Sequence, residues 1–460
     1  MRPLAPALIL LICWLACSLA ACPSPRGPSA AAIAPHTVEI GRDGAMLTGV
    51  AATPSMMFAA LTQVAASGSS GGAPNSSSGS AAVVNRPARV AIEARRIDRP
   101  DAVAWRVELD GFGGPLAVSG SKVVAALGGA RSVGGLELRG EPGAAVVALD
   151  AATGAVAWKL AIDATDWSVI GALAAAPDGV LVGGSFTGTL RIADRAVGSG
   201  GKTDGFVARL TASGGLAWLI RLGGPGADSV QGVAMSGDRV AIAGTFTAGA
   251  DLLGQPLPAY DDRSLAADGF VAELAADGSR RWVQTFGGKA DEAVAGVAID
   301  AAGRIAVAAS VRETVHIAGA DHVAGGPGDG LVAWWSPDGS AGTVTLLGGT
   351  DFDGLRAITA IGERVVVAGF FSGALRLGDH SLTAGGGDDA FLAELDPSGS
   401  IVTAWPVTGP GREEVTALSP LPGGFIAGIA HTAAASVGDD SLPAPRDPSS
   451  GAALVVRGIR

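Results

Sequence analysis

Four acidic residues recur along this chain at a nearly constant spacing, and their carboxylates are the groups best suited to chemistry. Each lies ten positions after a Trp or Thr that recurs with it, and the four are Asp228, Glu292, Asp353 and Glu413. If they converge, they could bind Ca²⁺ or a cationic ligand, or act as acid and base. If each accepts hydrogen bonds from its own turn, its role is structural. The second interpretation is favoured, because a residue that recurs with a repeat usually belongs to the repeat's geometry.

Few other residues are arranged for chemistry. The sequence contains no Gly-x-Ser-x-Gly elbow, no His-Glu-x-x-His motif and no Walker-type loop. Its cysteines, Cys13, Cys17 and Cys22, all lie in the first 22 residues, so the remaining chain has no thiol for a disulfide, metal or nucleophile. The formal net charge of −11 argues against a nucleic-acid partner, since phosphate binding needs clustered Lys and Arg. The single tyrosine, Tyr260, lies in the longest insert and is expected to be an exposed contact residue.

The acids belong to a repeat of about sixty residues that begins with an apolar position and a glycine eight residues later. The apolar positions are Val146, Phe206, Phe270, Leu331 and Phe391. The glycines are Gly154, Gly214, Gly278, Gly339 and Gly399. Four residues after each glycine come Trp158, Trp218, Trp282, Thr343 and Thr403. A glycine between two apolar runs is expected where a hairpin turn requires a positive φ, so each unit predicts a hairpin.

Each unit contains four predicted strands, with an insert of about twenty residues between the second and third strands of a blade. Ala, Val and Gly dominate the composition, which suits closely packed sheets. Antiparallel strands repeated at this period predict an all-β fold, a β-propeller. Counting the Trp or Thr positions, with Trp105 as the first, predicts six four-stranded blades. Residues 102–107 are expected to supply the missing strand of the last blade beside residues 454–457, which would leave no open edge.

The first 22 residues predict export and lipid attachment. Arg2 precedes an apolar run, and the sequence Leu19-Ala20-Ala21-Cys22 resembles the bacterial lipobox, in which the cysteine carries the lipid. Cleavage as an ordinary secretory signal is the alternative. Pro at position 23 favours, by this resemblance, the outer membrane. The predicted domains are a signal peptide at residues 1–21, a lipidated Cys22 with a flexible tether at 22–88, and the propeller at 89–460. A small hairpin over residues 38–47 and a short helix over 55–64 are expected within the tether.

The propeller units resemble a bacterial family. Residues 391–399, which read FLAELDPSG, and residues 282–300, which begin WVQTFGGKADE, are similar to the SBBP repeats of secreted and surface lipoproteins. This resemblance covers residues 100–460 and implies a fold and a compartment, but no activity. Residues 147–158 also resemble the repeat of pyrroloquinoline-quinone dehydrogenases and of the outer-membrane assembly propeller. The quinone enzymes' adjacent cysteine pair is absent.

Three functions therefore stay open. The leading prediction is a lipid-anchored binding scaffold of the cell envelope, held to the membrane through Cys22, whose partner is another envelope protein or a polysaccharide. The second is an enzyme acting on carbohydrate or peptide, or a Ca²⁺ site, at the mouth of the propeller channel. The third is an outer-membrane assembly scaffold. No cofactor other than Ca²⁺ is predicted.

Overall fold

The computed structural model describes residues 36–40, 45–64, 88–129, 132–133, 136–138, 143–260, 266–445 and 451–458. All regular secondary structure in these ranges is β-strand. No helix in this part of the chain is long and apolar enough to cross a membrane. The predicted signal peptide and Cys22 lie outside the described residues, so export and lipid attachment stay predictions.

The main strands form seven antiparallel four-stranded blades around one axis. The strands are given from the inner to the outer strand of each blade. Blade 1 consists of Met46–Ala52, Met56–Val64, Ala88–Arg96 and Arg99–Asp110, and blade 2 of Phe112–Ser119, Lys122–Gly128, Ala144–Asp150 and Val156–Ala164. Blade 3 consists of Trp167–Ala176, Gly179–Thr187, Asp204–Thr211 and Leu216–Gly223. Blade 4 consists of Ser229–Ser236, Arg239–Phe246, Asp268–Ala275 and Arg280–Gly288, and blade 5 of Ala293–Ile299, Ile305–Val311, Asp329–Trp335 and Ala341–Leu347. Blade 6 consists of Gly354–Ile361, Arg364–Phe371, Asp389–Leu395 and Ile401–Thr408. Blade 7 combines Glu413–Leu421, Gly424–His431 and Gly451–Gly458 with the N-terminal strand His36–Glu39.

The predicted number of six blades is wrong, because residues 46–110 form a complete additional blade. Trp105 lies in the outer strand of this blade and pairs with Ala94 of its third strand, not with residues 454–457. The expected helix over residues 55–64 is the strand Met56–Val64, and the predicted domain boundary at residue 88 falls inside the blade. The first blade escaped detection because a Ser- and Gly-rich connection, residues 65–87, interrupts its pattern.

An N-terminal strand does close the last blade, but it is an earlier strand than predicted. Thr37 pairs with Val455 and Val38 with Leu454 in antiparallel register. Met46 pairs instead with Thr62 in blade 1, so the small hairpin expected over residues 38–47 does not form. The strand His36–Glu39 gives the outer edge of blade 7 its hydrogen-bonding partner and closes the ring.

The hydrophobic core is divided among the seven seams between neighbouring blades. Each of the seven clusters of buried apolar side chains draws its members from two adjacent blades, and the seventh joins blade 7 to blade 1. The middle strands are buried on both faces, which explains apolar runs such as Ala-Ala-Val-Val-Ala-Leu in Ala144–Asp150. Val38, Leu47 and Leu454 pack in the closing cluster. Closure therefore buries apolar surface in addition to pairing strand edges.

The recurring tryptophan and glycine of the repeat meet across these seams. Gly214 has a φ of +86°, and a Cβ atom there would lie 2.7 Å from the Trp158 ring of the preceding blade. The Trp158 indole donates a hydrogen bond of 3.0 Å to the Ala212 carbonyl in the same turn. The predicted positive φ is confirmed at all five turn glycines, Gly154, Gly214, Gly278, Gly339 and Gly399. The spacing in sequence thus encodes a contact between successive blades.

The inserts form small hairpins, and those of blades 3, 4, 5 and 7 add strands to the outer edge of the preceding blade. Each hairpin connects the second and third strands of its own blade. In blades 2, 3 and 4 the hairpins are Ser132–Val133 with Leu136–Glu137, Thr189–Ile192 with Arg195–Gly198, and Asp251–Leu252 with Gln255–Pro256. In blades 5, 6 and 7 they are Thr314–Ile317 with Ala320–Val323, Ala374–Leu377 with His380–Thr383, and Ala435–Val437 with Asp440–Leu442. The insert of blade 3, for example, pairs its first strand with the outer strand of blade 2, where Arg191 lies opposite Asp163. Because strands within a blade are antiparallel, these inserts and the crossings to the next blade emerge on one face, which we call the insert face.

Candidate functional site at the blade seams

The four predicted acids lie at the insert face, where the chain crosses from one blade to the next. Each follows a crossing and precedes or begins an inner strand, and each has a partner acid at the start of the preceding blade's third strand. The pairs are Asp204 with Asp228, Asp268 with Glu292, Asp329 with Asp353, and Asp389 with Glu413. Pairs of glycines make room for them: a Cβ at Gly287 would lie 1.9 Å from an Asp268 oxygen, and one at Gly288 would lie 3.4 Å from Glu292 Oε1.

Two of the four acids fasten the crossing by accepting backbone hydrogen bonds. Asp228 is 1% exposed and accepts the N–H groups of Gly224 and Thr247 at 2.8 and 2.7 Å. Asp353 accepts those of Gly349 and Ser372 at 2.6 and 3.3 Å. Each bond joins the crossing, or the end of the second strand, to the carboxylate. Both residues therefore have the structural role that the sequence favoured.

The two glutamates differ from these aspartates. Glu292 and Glu413 are 3% and 1% exposed, yet neither has a carboxylate oxygen in a hydrogen bond of normal geometry. A buried carboxylate without a donor is expensive unless it is protonated or meets a cation. This difference between Asp and Glu at equivalent positions could not be read from the repeat, because it depends on which side chain reaches the turn.

Burial shifts these carboxyl groups toward the protonated form. It raises the pKa of Glu292 to about 8, with the neighbouring Asp268 carboxylate adding to the effect. It likewise raises the pKa of Glu413 to about 8, and the adjacent Asp389 carboxyl contributes. The pKa of Asp353 rises to about 6, again mainly through burial. For Asp228 burial also raises the pKa, against the opposing effect of its two N–H donors. Ionisation of these carboxyl groups at neutral pH therefore lowers the stability of the folded protein.

The structure does not bring the four acids together. Each is enclosed in its own seam, and no three His, Cys, Asp or Glu side chains in the described ranges lie close enough to hold a metal ion. The convergence of carboxylates, which was the less favoured interpretation of the sequence, is therefore not observed in the described ranges. The channel itself contains a cavity of about 310 Å³ toward the opposite ends of the inner strands, lined by aliphatic side chains such as Leu173, Val233 and Ile358.

A second set of buried acids lies toward the opposite face, and arginines neutralise it. Near the ends of their third strands, Glu93, Glu273 and Glu394 are between 0 and 4% exposed. Glu93 is paired with Arg95 and Arg106 at 3.0 and 2.5 Å. Glu273 is paired with Arg239 and Arg281, and Glu394 with Arg364 at 2.6 Å. These glutamates were not predicted from sequence, although two of the three share a position in the repeat with the motif Ala-Glu-Leu.

The insert face also carries a surface of two arginines and two phenylalanines that sequence reasoning missed. The guanidinium of Arg312 lies 5.6 Å from the Phe352 ring centre, and that of Arg356 lies 4.7 Å from the Phe370 ring centre. The two rings are 5.5 Å apart, so the four side chains form one stack, the arginine–phenylalanine surface. Phe352 is 40% exposed. These residues are far apart in the repeat pattern, which explains why spacing alone did not reveal them.

Other exposed apolar side chains share this face. Tyr260 is 47% exposed, as predicted for a contact residue, and its ring lies 6.3 Å from that of His316 in the insert of blade 5. Of the nine large apolar residues exposed in the described ranges, six lie on the insert face or its hairpins: Met46, Val169, Leu253, Tyr260, Val323 and Phe352. The opposite face and outer strands have only three, so the two faces differ in their capacity for contacts.

Taken together, the strand order and the seams define a seven-bladed β-propeller. No protein-family model matches the chain, and no curated protein matches it.

Solved structures with similar folds include BamB from Moraxella catarrhalis, which is 16% identical with a TM-score of 0.41, covering 92% of this chain and 98% of that one. The β-propeller domain of the Trilobed protease from Pyrococcus furiosus is 11% identical, with a TM-score of 0.46 and coverages of 89% and 98%. The quinohemoprotein alcohol dehydrogenase ADHIIG from Pseudomonas putida HK5 is 10% identical, with a TM-score of 0.40 and coverages of 92% and 76%. At these identities the likeness concerns the fold alone.

Proposed function

We propose that this protein is an exported, lipid-anchored β-propeller that acts as a binding scaffold for another protein of the cell envelope. The lipobox-like sequence ending at Cys22 supports the anchor and the outer-membrane location. The resemblance of residues 282–300 and 391–399 to SBBP repeats supports membership in that group of surface lipoproteins. The lipid on Cys22, a palmitate-type acyl group, holds the propeller at the membrane.

The observation that carries the binding role is the arginine–phenylalanine surface on the insert face. Arginine and aromatic side chains dominate the contact energy of protein interfaces, because they bury a large area and still make directed polar contacts. Arg312 stacks on the exposed ring of Phe352 and Arg356 on the half-buried ring of Phe370, so both guanidinium groups are held in place before a partner arrives. Their charge suits a partner that brings carboxylates, since a guanidinium binds a carboxylate through two hydrogen bonds.

An enzyme acting on carbohydrate or peptide is less well supported. Such an enzyme needs carboxylates that reach substrate, whereas the four candidate acids are between 0 and 3% exposed. Outer-membrane assembly remains a narrower version of the scaffold role, and it rests on the resemblance of residues 147–158.

Site-specific photo-cross-linking tests the proposal. We expect a photoreactive phenylalanine at position 352 to capture one envelope protein in cells. The same probe at Val402, an exposed position on the opposite face, should capture none. The capture at 352 should fall at least severalfold in the Arg312→Ala/Arg356→Ala variant, provided its melting temperature is unchanged. Equal labelling at both positions, or labelling of polysaccharide alone, would contradict a protein-binding insert face.

A further inference from the structure

The seam between blades 6 and 7 holds two buried carboxyl groups that face one another. Asp389 is fully buried and Glu413 is 1% exposed. Asp389 accepts the N–H groups of Gly385 and Gly409 at 2.5 and 3.3 Å. Neither oxygen of Glu413 has a hydrogen-bond donor of normal geometry. The seam thus combines two acids with two backbone N–H donors, and both donors bind Asp389.

Two other acids that are buried as deeply have an arginine partner. Asp300 is paired with Arg304 at 2.6 Å, and Asp204, the counterpart of Asp389 in blade 3, is paired with Arg221. Arg221 lies opposite Phe206 in the strand register, and the residue opposite the equivalent Phe391 is Pro406. Blade 6 therefore has a proline where blade 3 has the neutralising arginine. The charge at this seam has to be balanced by something other than that side chain.

Backbone oxygen is also available beside the two carboxylates. A Cβ at Gly409 would lie 2.6 Å from the Ala434 carbonyl oxygen and 2.7 Å from Glu413 Oε1. Both oxygens therefore lie against the same side of Gly409, which places them close to one another. Ca²⁺ is bound by such mixed sets of carboxylate, carbonyl and water oxygens, usually six to eight in all.

We propose that the seam between blades 6 and 7 binds a divalent cation, with Ca²⁺ as the best fit. Asp389 and Glu413 provide the carboxylates, the Ala434 carbonyl provides a backbone ligand, and water completes the set. Two negative charges are balanced by one divalent ion, which replaces the arginine that this seam lacks. The ion would hold the crossing into blade 7, the blade that the N-terminal strand closes, and so stabilise the ring.

Thermal unfolding of the full-length protein with and without Ca²⁺ tests this site. After treatment with EDTA at pH 7.5, we expect CaCl₂ to raise the melting temperature by several degrees, with saturation, because an ion that binds only the folded state stabilises it. Glu413→Gln should abolish the rise. Glu414→Gln, the matched control at the adjacent and more exposed acid, should retain it. Metal analysis of the purified wild-type protein should detect calcium, which gives a readout even if Glu413→Gln folds poorly.

Two results would overturn the proposal. One is a wild-type melting temperature that does not respond to Ca²⁺ and whose fall from pH 5.5 to 8 is reduced in Glu413→Gln, since the seam would then be held by a proton shared between the two carboxyls. The other is a Ca²⁺ response that persists in Glu413→Gln, since the ion would then bind elsewhere.

Discussion

At the scale of single residues, the tryptophan and the turn glycine of the repeat function as a pair that belongs to two blades. Trp105, Trp158 and Trp218 each donate an indole hydrogen bond, at 2.9 to 3.0 Å, to a carbonyl in the turn of the following blade. The glycine in that turn allows the ring to approach. In each of these seams a tryptophan ring packs on the turn glycine of the next blade and donates a hydrogen bond to a carbonyl of the same turn.

Replacement of Gly214 tests this contact. We expect Gly214→Ala to reduce the free energy of unfolding more than Gly237→Ala does, by about 1–3 kcal/mol, which is the usual range for overpacking. Both glycines have positive φ, +86° and +60°, but a Cβ at Gly237 would meet nothing within 4 Å. The control therefore carries only the backbone strain, about 1–2 kcal/mol. Chemical denaturation of both variants measures the difference, and equal losses would mean that the Trp158 contact is unimportant.

The raised pKa of Glu292 leads to a pH dependence. A carboxyl with a pKa of about 8 in the folded state and 4.5 in the unfolded state binds more protons when folded, so stability falls as pH rises between these values. One such group accounts for up to about 1.4 kcal/mol per pH unit. Glu292→Gln removes this contribution, so the variant should gain stability relative to wild type at pH 8.

Unfolding curves from pH 5 to pH 8, recorded in EDTA, measure this effect. Asp228→Asn is the contrasting variant, because it weakens the acceptor for the Gly224 and Thr247 N–H groups and should destabilise at every pH. A Glu292→Gln protein with the wild-type pH dependence would show that the group is ionised in the folded state.

At the scale of elements, the insert hairpins contribute to the core. Leu190 and Ile192 in the insert of blade 3 are fully buried and belong to the same cluster as Ile162 of blade 2 and Phe206 of blade 3. The hairpin therefore covers the seam between the two blades from outside. Its outward residues, such as Arg191, are exposed.

Truncation of one buried hairpin residue measures this contribution. We expect Leu190→Ala to destabilise the protein by about 2–4 kcal/mol, as in other buried positions. Arg191→Ala, one residue away on the outward side, should change stability by less than about 0.5 kcal/mol. If the two variants are equally stable, the hairpins are peripheral appendages.

The regular elements could be predicted from sequence where the repeat is intact. The recurring apolar positions, Val146, Phe206, Phe270, Leu331 and Phe391, all lie in third strands, and the positive φ of the turn glycines is confirmed. Blade 1 was missed because its last turn, at residues 97–98, has no glycine and its second and third strands are separated by residues 65–87. Trp105 was correctly placed in an outer strand, but nothing local in the sequence shows which blade that strand joins.

At the scale of the whole molecule, seven seams make a ring, and the ring is closed by four residues from the N-terminal end. The positions of the recurring acids and their favoured structural role were predicted from the repeat. The depth at which each carboxylate is buried between blades was not, because spacing contains no information on it. The arginine–phenylalanine surface was also beyond prediction, because Arg312 and Phe370 come together only when blades 5 and 6 pack side by side.

The most direct test of this account is a disulfide across the closing seam. Glu39 and Ala453 are opposite one another in the register, and paired strands bring Cα atoms within the roughly 4.4–6.8 Å that a disulfide needs. We expect Glu39→Cys/Ala453→Cys to cross-link in the folded protein, with the joined peptides identified by mass spectrometry. Val103→Cys/Ala453→Cys, which tests closure by the strand of Trp105, should not cross-link. Cross-linking of the second pair but not the first would contradict the seven-bladed ring.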